Sequence, residues 1–217
     1  MARATAETVG IRTGDVELQG DLVLPADARG VVAFAHGSGS SRHSPRNRMV
    51  AEGLHAGGFG TLLLDLLTLD EEREDRLTGH LRFDIGLLGR RTTDAVRWLA
   101  GHGSTRALPA GLFGASTGAA AALVAAAAET EVRAVVSRGG RPDLAAEALP
   151  HVRAPTLLVV GGADPQVIEM NRAALARMTG PAELVIVPGA THLFEEPGTL
   201  EDVARLAREW FDRYLAA

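Results

Sequence analysis

The sequence predicts an α/β protein built on a mostly parallel, doubly wound sheet with helices on both faces, and three observations predict it. Short apolar runs without polar alternation, such as GVVAFAH (30–36) and FGTLLLDLL (59–67), read as strands buried on both faces. Segments with helical spacing and helix-stop residues lie between such runs, so strand and helix alternate along the chain. Polar, glycine-rich loops follow the strands, where the chemistry of open α/β sheets gathers.

Each element has its own warrant. TVGIRTGDVELQGDLVLP alternates around two glycine breaks, as an antiparallel strand pair does. Ser44-Pro45 is a side-chain cap followed by proline at the first helical position, and the helix it starts runs to about His55 before Gly57-Gly58 stops it. The acidic stretch LDEEREDRLTGH (69–80) has no clean apolar stripe and reads as an exposed loop or short helix with a solvated surface. Asp84 to Ala100 places Ile85, Leu88, Ala95, Val96 and Leu99 at helical spacing and is closed by Gly101. PAGLFGA is a strand with a helix from Thr117 to Ala128 behind it. VRAVVSRGG is a strand with a short helix from Pro142 to about Leu149. APTLLVVGGAD is a strand with a helix across Val167 to Met178, and AELVIVPGATH is a strand with a helix from Thr199 to Tyr214. No linker, fixed-period repeat or low-complexity tail interrupts the pattern, so residues 1–217 read as one domain.

Composition narrows the function classes. A net charge of −5 disfavours nucleic acid and anionic membrane surfaces as partners. With no cysteine, the chain has no disulfide framework, thiolate nucleophile or cysteine metal site, which fits a reducing cytoplasm. The start MARATAETVG lacks the apolar core of a signal peptide, and the longest apolar run, Ala119 to Ala128, falls short of the ~20 residues of a membrane span. The expectation is a soluble, cytoplasmic protein without cofactor or metal. Its partners would be a small-molecule substrate and at most a second copy of the chain as a homodimer.

The stretch LFGASTGAA contains Gly114-Ala115-Ser116-Thr117-Gly118, a G-x-S-x-G pattern that can form a nucleophile elbow between a strand and a helix. In a chain with 25 glycines the pattern alone decides little, because Ser116 would also serve as a plain helix cap. The loops at the other strand ends supply the context. GGADP brings Asp164, and PGATHLF brings His192, the only one of seven histidines beyond the last strand. Ser116, Asp164 and His192 follow each other in the order of α/β-type Ser-Asp-His triads. Asp143 in the preceding loop is a second candidate for the acid. Asp164 is preferred because it lies just past two glycines, Gly161 and Gly162, at a strand end, whereas Asp143 sits at a helix start where capping explains it. A serine hydroxyl needs a neighbouring imidazole to take its proton, so His192 would be general base and then general acid, held by Asp164. The oxyanion donors would be the amides of Thr117 and Ser38, the latter from His36-Gly37-Ser38-Gly39. That loop lacks the third glycine of a dinucleotide fingerprint. Gly37, Gly39 and Arg138 are candidate substrate contacts. The cluster Arg42, His43, Arg46 and Arg48 reads as a solvated helix face before it reads as a carboxylate-binding rim.

HGSGSSRHSPRNRMVAEGLHAGGFGTLLLDLLT, GASTGAAAAL, VVSRGGRPDL, PTLLVVGGADPQVI and VPGATHLFEEPGTL together resemble the dienelactone hydrolase family of the α/β-hydrolases, in its serine-type bacterial branch. The resemblance covers about residues 15 to 216 and implies the α/β-hydrolase fold with Ser116 as nucleophile, Asp164 as acid and His192 as base. Dienelactone hydrolase itself uses a cysteine, which this chain lacks, so the implied activity is a carboxylesterase acting on small short-chain esters. Lactone hydrolysis, or a non-catalytic ligand-binding module on the same fold, are the alternatives. Between Arg138 and Pro155 there is space for a short helix and no lid domain, which suits small soluble substrates.

Overall fold

The structure, a computed structural model, describes residues 4–215. Eight strands form one sheet in the order β1-β2-β4-β3-β5-β6-β7-β8. The hairpin β1 (Thr5–Thr13) and β2 (Val16–Leu24) is antiparallel, and β2 also pairs antiparallel with β4 (Gly60–Leu64). From β4 outward, β3 (Val31–Ala35), β5 (Ala110–Ala115), β6 (Val132–Arg138), β7 (Thr156–Gly161) and β8 (Ala182–Val187) are all parallel. Helices α3 (Ile85–Gly101) and α4 (Thr117–Ala128) cover one face, and α1 (Pro45–Ala56) and α6 (Thr199–Leu215) cover the other. The mostly parallel sheet with helices on both faces is therefore the architecture expected.

Successive residues of the central strands enter opposite cores, as the two-residue strand period demands. Leu112 and Val135 pack towards α3 and α4, while their neighbours Phe113 and Val136 pack towards α1 and α6. Both faces being covered is why these strands read as unbroken apolar runs. The alanine run of α4 lets it lie close to its neighbour, and a Cβ on Gly89 of α3 would stand 2.5 Å from Val124. Among the described residues no helix is long and apolar enough to cross a membrane.

Two elements differ from expectation, while residues 69–80 settle as the helix of the two forms expected there. Residues 69–80 contain a true helix, α2 (Leu69–Thr78), started by a capping box between Thr68 and Glu71. The expected helix from Pro142 is instead two 3-10 turns, Pro142–Ala145 and Leu149–His151. Helix α5 (Pro165–Leu175) begins two residues earlier than expected, because Asp164 caps it and Pro165 takes its first position. Strand β4 ends at Leu64, where Asp65 turns to accept the Arg42 amide at 2.7 Å.

Candidate active site

Ser116 stands at the carboxyl end of β5, on the step into α4. Its backbone has φ 51° and ψ −120°, a left-handed conformation that side chains rarely adopt, and its hydroxyl makes no capping bond. The cap reading of Ser116 is thus replaced by a strained turn. The flanking glycines have a steric cause. A Cβ on Gly114 would lie 2.4 Å from the Ala119 Cα, and one on Gly118 would lie 2.2 Å from the Ala35 carbonyl oxygen. The turn is tied to the sheet by the Ser116 amide, which donates to the Arg138 carbonyl at 3.1 Å.

His192 reaches this serine from the loop after β8. Its Nδ1 lies 2.8 Å from Asp164 Oδ2, and its Nε2 lies 3.4 Å from Ser116 Oγ. The carboxylate at Nδ1 places the ring proton there and leaves Nε2 as acceptor for the serine proton. The loop is held from below: a Cβ on Gly161 would come within 2.3 Å of the Ala190 oxygen, and buried Phe194 anchors the turn at φ 56°. The Thr191 amide donates to the Glu196 carboxylate at 3.0 Å.

The structure brings Ser116, Asp164 and His192 together and keeps Asp143 apart. The sequence argument for choosing between the two acids is corrected here. Asp143 makes no cap; it forms a two-pronged pair with Arg141 at 2.8 and 2.7 Å. Asp164 is the one that caps, with Oδ1 accepting from the Val167 amide at 3.3 Å while Oδ2 faces the histidine. Both oxygens are committed, which fixes the carboxylate's plane.

The loop after β3 lies against the elbow. A Cβ on Gly37 would sit 3.1 Å from both the Ala115 oxygen and the Ser116 Cβ, so a larger residue there would have to push the elbow back by a few tenths of an ångström. Gly39 has φ +69°. His36 is buried and held neutral: desolvation pushes its pKa down against the Gly37 hydrogen bond and the Asp65 charge, its Nδ1 bonds the Gly37 oxygen at 2.9 Å, and its Nε2 accepts the Leu66 amide at 3.0 Å. Neither the Ser38 amide nor the Thr117 amide donates to an acceptor among the described residues. Gly37, Ser38, Gly39 and Thr117 line a cavity of about 560 Å³ whose floor includes Leu66, Leu67 and Leu88. Its opposite wall is α2 and the turn beyond it, through Glu72, Asp75, Arg76 and Arg82. A second cavity of about 420 Å³ is lined by Ser116, His192, Asp164, Arg141 and Met170. The serine thus stands between two cavities.

Sequence reasoning missed the α2 wall. Its signal was present as Thr68-x-x-Glu71, but the helix buries charge rather than an apolar stripe. Asp75 is held by Arg82 Nε at 2.6 Å, and Glu71 by both terminal nitrogens of Arg91 at 2.7 Å. The cationic cluster is largely neutralised by partners. Arg42 pairs with Asp21 and Asp65, Arg48 with Asp21 at 3.5 Å, and Arg46 with Glu195 at 3.3 Å; of the four, only His43 lines the larger cavity. Arg138 is 7 % exposed and lines neither cavity.

Known proteins can be set beside this geometry. A family model described as the dienelactone hydrolase family matches residues 18–215. A dienelactone hydrolase crystal structure from Anabaena variabilis is 59 % identical, covers 99 % of this chain and 100 % of its own, and superposes with a TM-score of 0.96. Est1E from Butyrivibrio proteoclasticus, at 17 % identity over 97 % of this chain and 99 % of its own, shares the fold with a TM-score of 0.81. Two strains of Mycobacterium tuberculosis have proteins that carry the provisional name of phosphoribosyl transferase and are 58 % identical over 210 residues, or 96 % of this chain. The match spans 46 % of those proteins, so the chain covers about half the length of the curated relatives it matches.

Proposed function

We propose, from the premise that the chain belongs to the dienelactone hydrolase family, that this hydrolase is a serine carboxylesterase which cleaves small esters through an acyl-enzyme. The observation that carries the reading is the single imidazole of His192 bridging Asp164 at 2.8 Å and Ser116 at 3.4 Å on a glycine-flanked elbow. Ser116 Oγ attacks the ester carbonyl as its proton passes to His192 Nε2. The tetrahedral oxyanion is met by the free amides of Ser38 and Thr117, the second at the amino end of α4 where the helix dipole adds to it. His192 then returns the proton to the leaving alcohol, which departs on the histidine side, into the cavity lined by Arg141 and Met170. Water repeats the sequence to release the acid, with Asp164 stabilising the imidazolium each time.

A lactone is a cyclic ester, and the same groups would open it. The transferase name of the longer relatives is said of those proteins as wholes.

Ser116→Ala should fold as the parent does and lose several orders of magnitude in turnover of p-nitrophenyl esters, as deletions of triad members do. A fluorophosphonate should label the parent on Ser116 and leave the variant unlabelled, as read by peptide mass spectrometry. Label on another serine, or full activity in the variant, would overturn the reading.

A further inference from the structure

Arg141 lines the cavity on the histidine side of Ser116, and both its backbone and its side chain are fixed there. Its amide donates to the Ser116 carbonyl at 3.1 Å. The carbonyl just before it, that of Gly140, accepts from Asn171 Nδ2 at 3.0 Å, and fully buried Asn171 also donates to the Val167 carbonyl at 2.8 Å. The guanidinium is held as well, with Nε and Nη2 forming a parallel pair of bonds to the Asp143 carboxylate. That pair uses one edge of the plane, so Nη1 on the other edge has no partner among the described residues, on a side chain that is 33 % exposed. Gln166, in the first turn of α5, lines the same cavity, and its side-chain amide makes no hydrogen bond among the described residues. Val167 and Met170 add an apolar strip to the wall.

This wall selects among alcohols. Asp143 already matches the charge of Arg141, and Asp164 brings a second carboxylate to the cavity, so an anionic alcohol would meet more negative charge than it relieves. A purely apolar alcohol would cover Nη1 and the Gln166 amide without replacing their water, which weakens binding. A neutral polyol meets both conditions, because each hydroxyl accepts as well as donates and its C–H faces fit the strip of Val167 and Met170. Resting on the esterase reading above, we propose that this leaving-alcohol cavity is a polyol subsite, in which Arg141 Nη1 and Gln166 hold the hydroxyls of a glycerol-type or sugar-type alcohol whose ester Ser116 cleaves. At about 420 Å³ the cavity falls within the ~300–1,000 Å³ of small-molecule sites. Arg141 and Gln166 are then specificity residues for the alcohol and take no part in the acyl chemistry.

The test reads the acetyl-enzyme. p-Nitrophenyl acetate loads Ser116 and releases p-nitrophenol, after which an added alcohol competes with water for the acetyl group. The alcohol oxygen bonds the carbonyl carbon, the bond to Ser116 Oγ breaks, and the alcohol's proton passes through His192 to Oγ. The ratio of acetylated alcohol to acetate, read by chromatography, is a quotient of two rates on one intermediate, so a general loss of activity cancels from it. Per primary hydroxyl and at equal concentration, glycerol should be acetylated about tenfold better than 1-propanol, the usual effect of one hydrogen bond to a charged donor. Arg141→Met should remove most of that preference and Gln166→Ala part of it. Gln166 is exposed, so its variant decides alone if Arg141→Met fails to fold. Equal acetylation of glycerol and 1-propanol by the parent, or a preference undiminished in either variant, overturns the subsite. Faster transfer to glycerate than to glycerol assigns the cavity to anionic alcohols and overturns it too. A parent that releases no p-nitrophenol fails before any alcohol is added, which removes the esterase reading and the subsite with it.

Discussion

At the scale of single residues, the two aspartates beside the elbow are separated by what their oxygens already do. Asp164 divides its oxygens between a helix cap and His192, whereas Asp143 gives both to Arg141. Asp164→Asn should therefore lower ester turnover by about 10⁴, by analogy with the loss of tautomer control in other triads. Asp143→Asn should change turnover by less than tenfold. Parallel kcat measurements on variants of matched thermal stability check this, and a larger effect at Asp143 would reverse the assignment. Ser116, Asp164 and His192 were all legible in the sequence because each follows an apolar strand run within a few residues. The capping role of Asp164 was not, because one side chain doing two jobs leaves a single letter. Nor was the burial of Arg138 away from both cavities, which depends on packing in three dimensions.

At the scale of elements, the sequence left α2 open between a loop and a short helix and did not show it as a cavity wall. An amphipathic helix is found by its apolar stripe, and α2 instead buries Asp75 and turns Glu71 against Arg91 of α3. Hydrogen bonds from Arg91 hold Glu71 below its ordinary carboxylate range, outweighing its partial burial. A depressed carboxyl contributes stability that is complete above the unfolded value, near pH 4.3, and is lost as pH falls through the folded one. Glu71→Gln should therefore lower Tm at pH 7, and the gap to the parent should close on acidification from about pH 5 towards pH 3. A gap that is constant across that range would show that the pair carries no linked stability. The same helix bears on substrate size. An acyl chain lying on Leu66, Leu67 and Leu88 meets Glu72, Arg76 and Arg82 as it lengthens, so added methylenes stop gaining the ~0.8 kcal/mol of burial each. Acetate to butyrate esters should be turned over best, without a jump in rate at the micellar threshold. A specificity maximum at eight or more carbons would show an apolar tunnel instead.

At the scale of the whole molecule, the fold class was legible because a sheet covered on both faces writes itself as apolar runs between helices. The order of strands was not, since pairing is decided by crossovers and not by composition. After β4, that order has a simple property: β5, β6, β7 and β8 are added one after another along a single edge. Ser116 arrives with the first of these strands, Asp164 with the third and His192 with the fourth. Position along the chain is therefore also a schedule. A polypeptide emerging from a ribosome holds its serine for 76 residues before His192 exists, and under the proposed mechanism it cannot turn over an ester in that interval. In refolding from urea, recovery of ester turnover should coincide with docking of α6, the element after β8, reported by Trp210 as its indole bonds the Pro155 carbonyl at 3.2 Å, and trail the early gain of helix. On that mechanism, ester turnover would signal that the last strand is home.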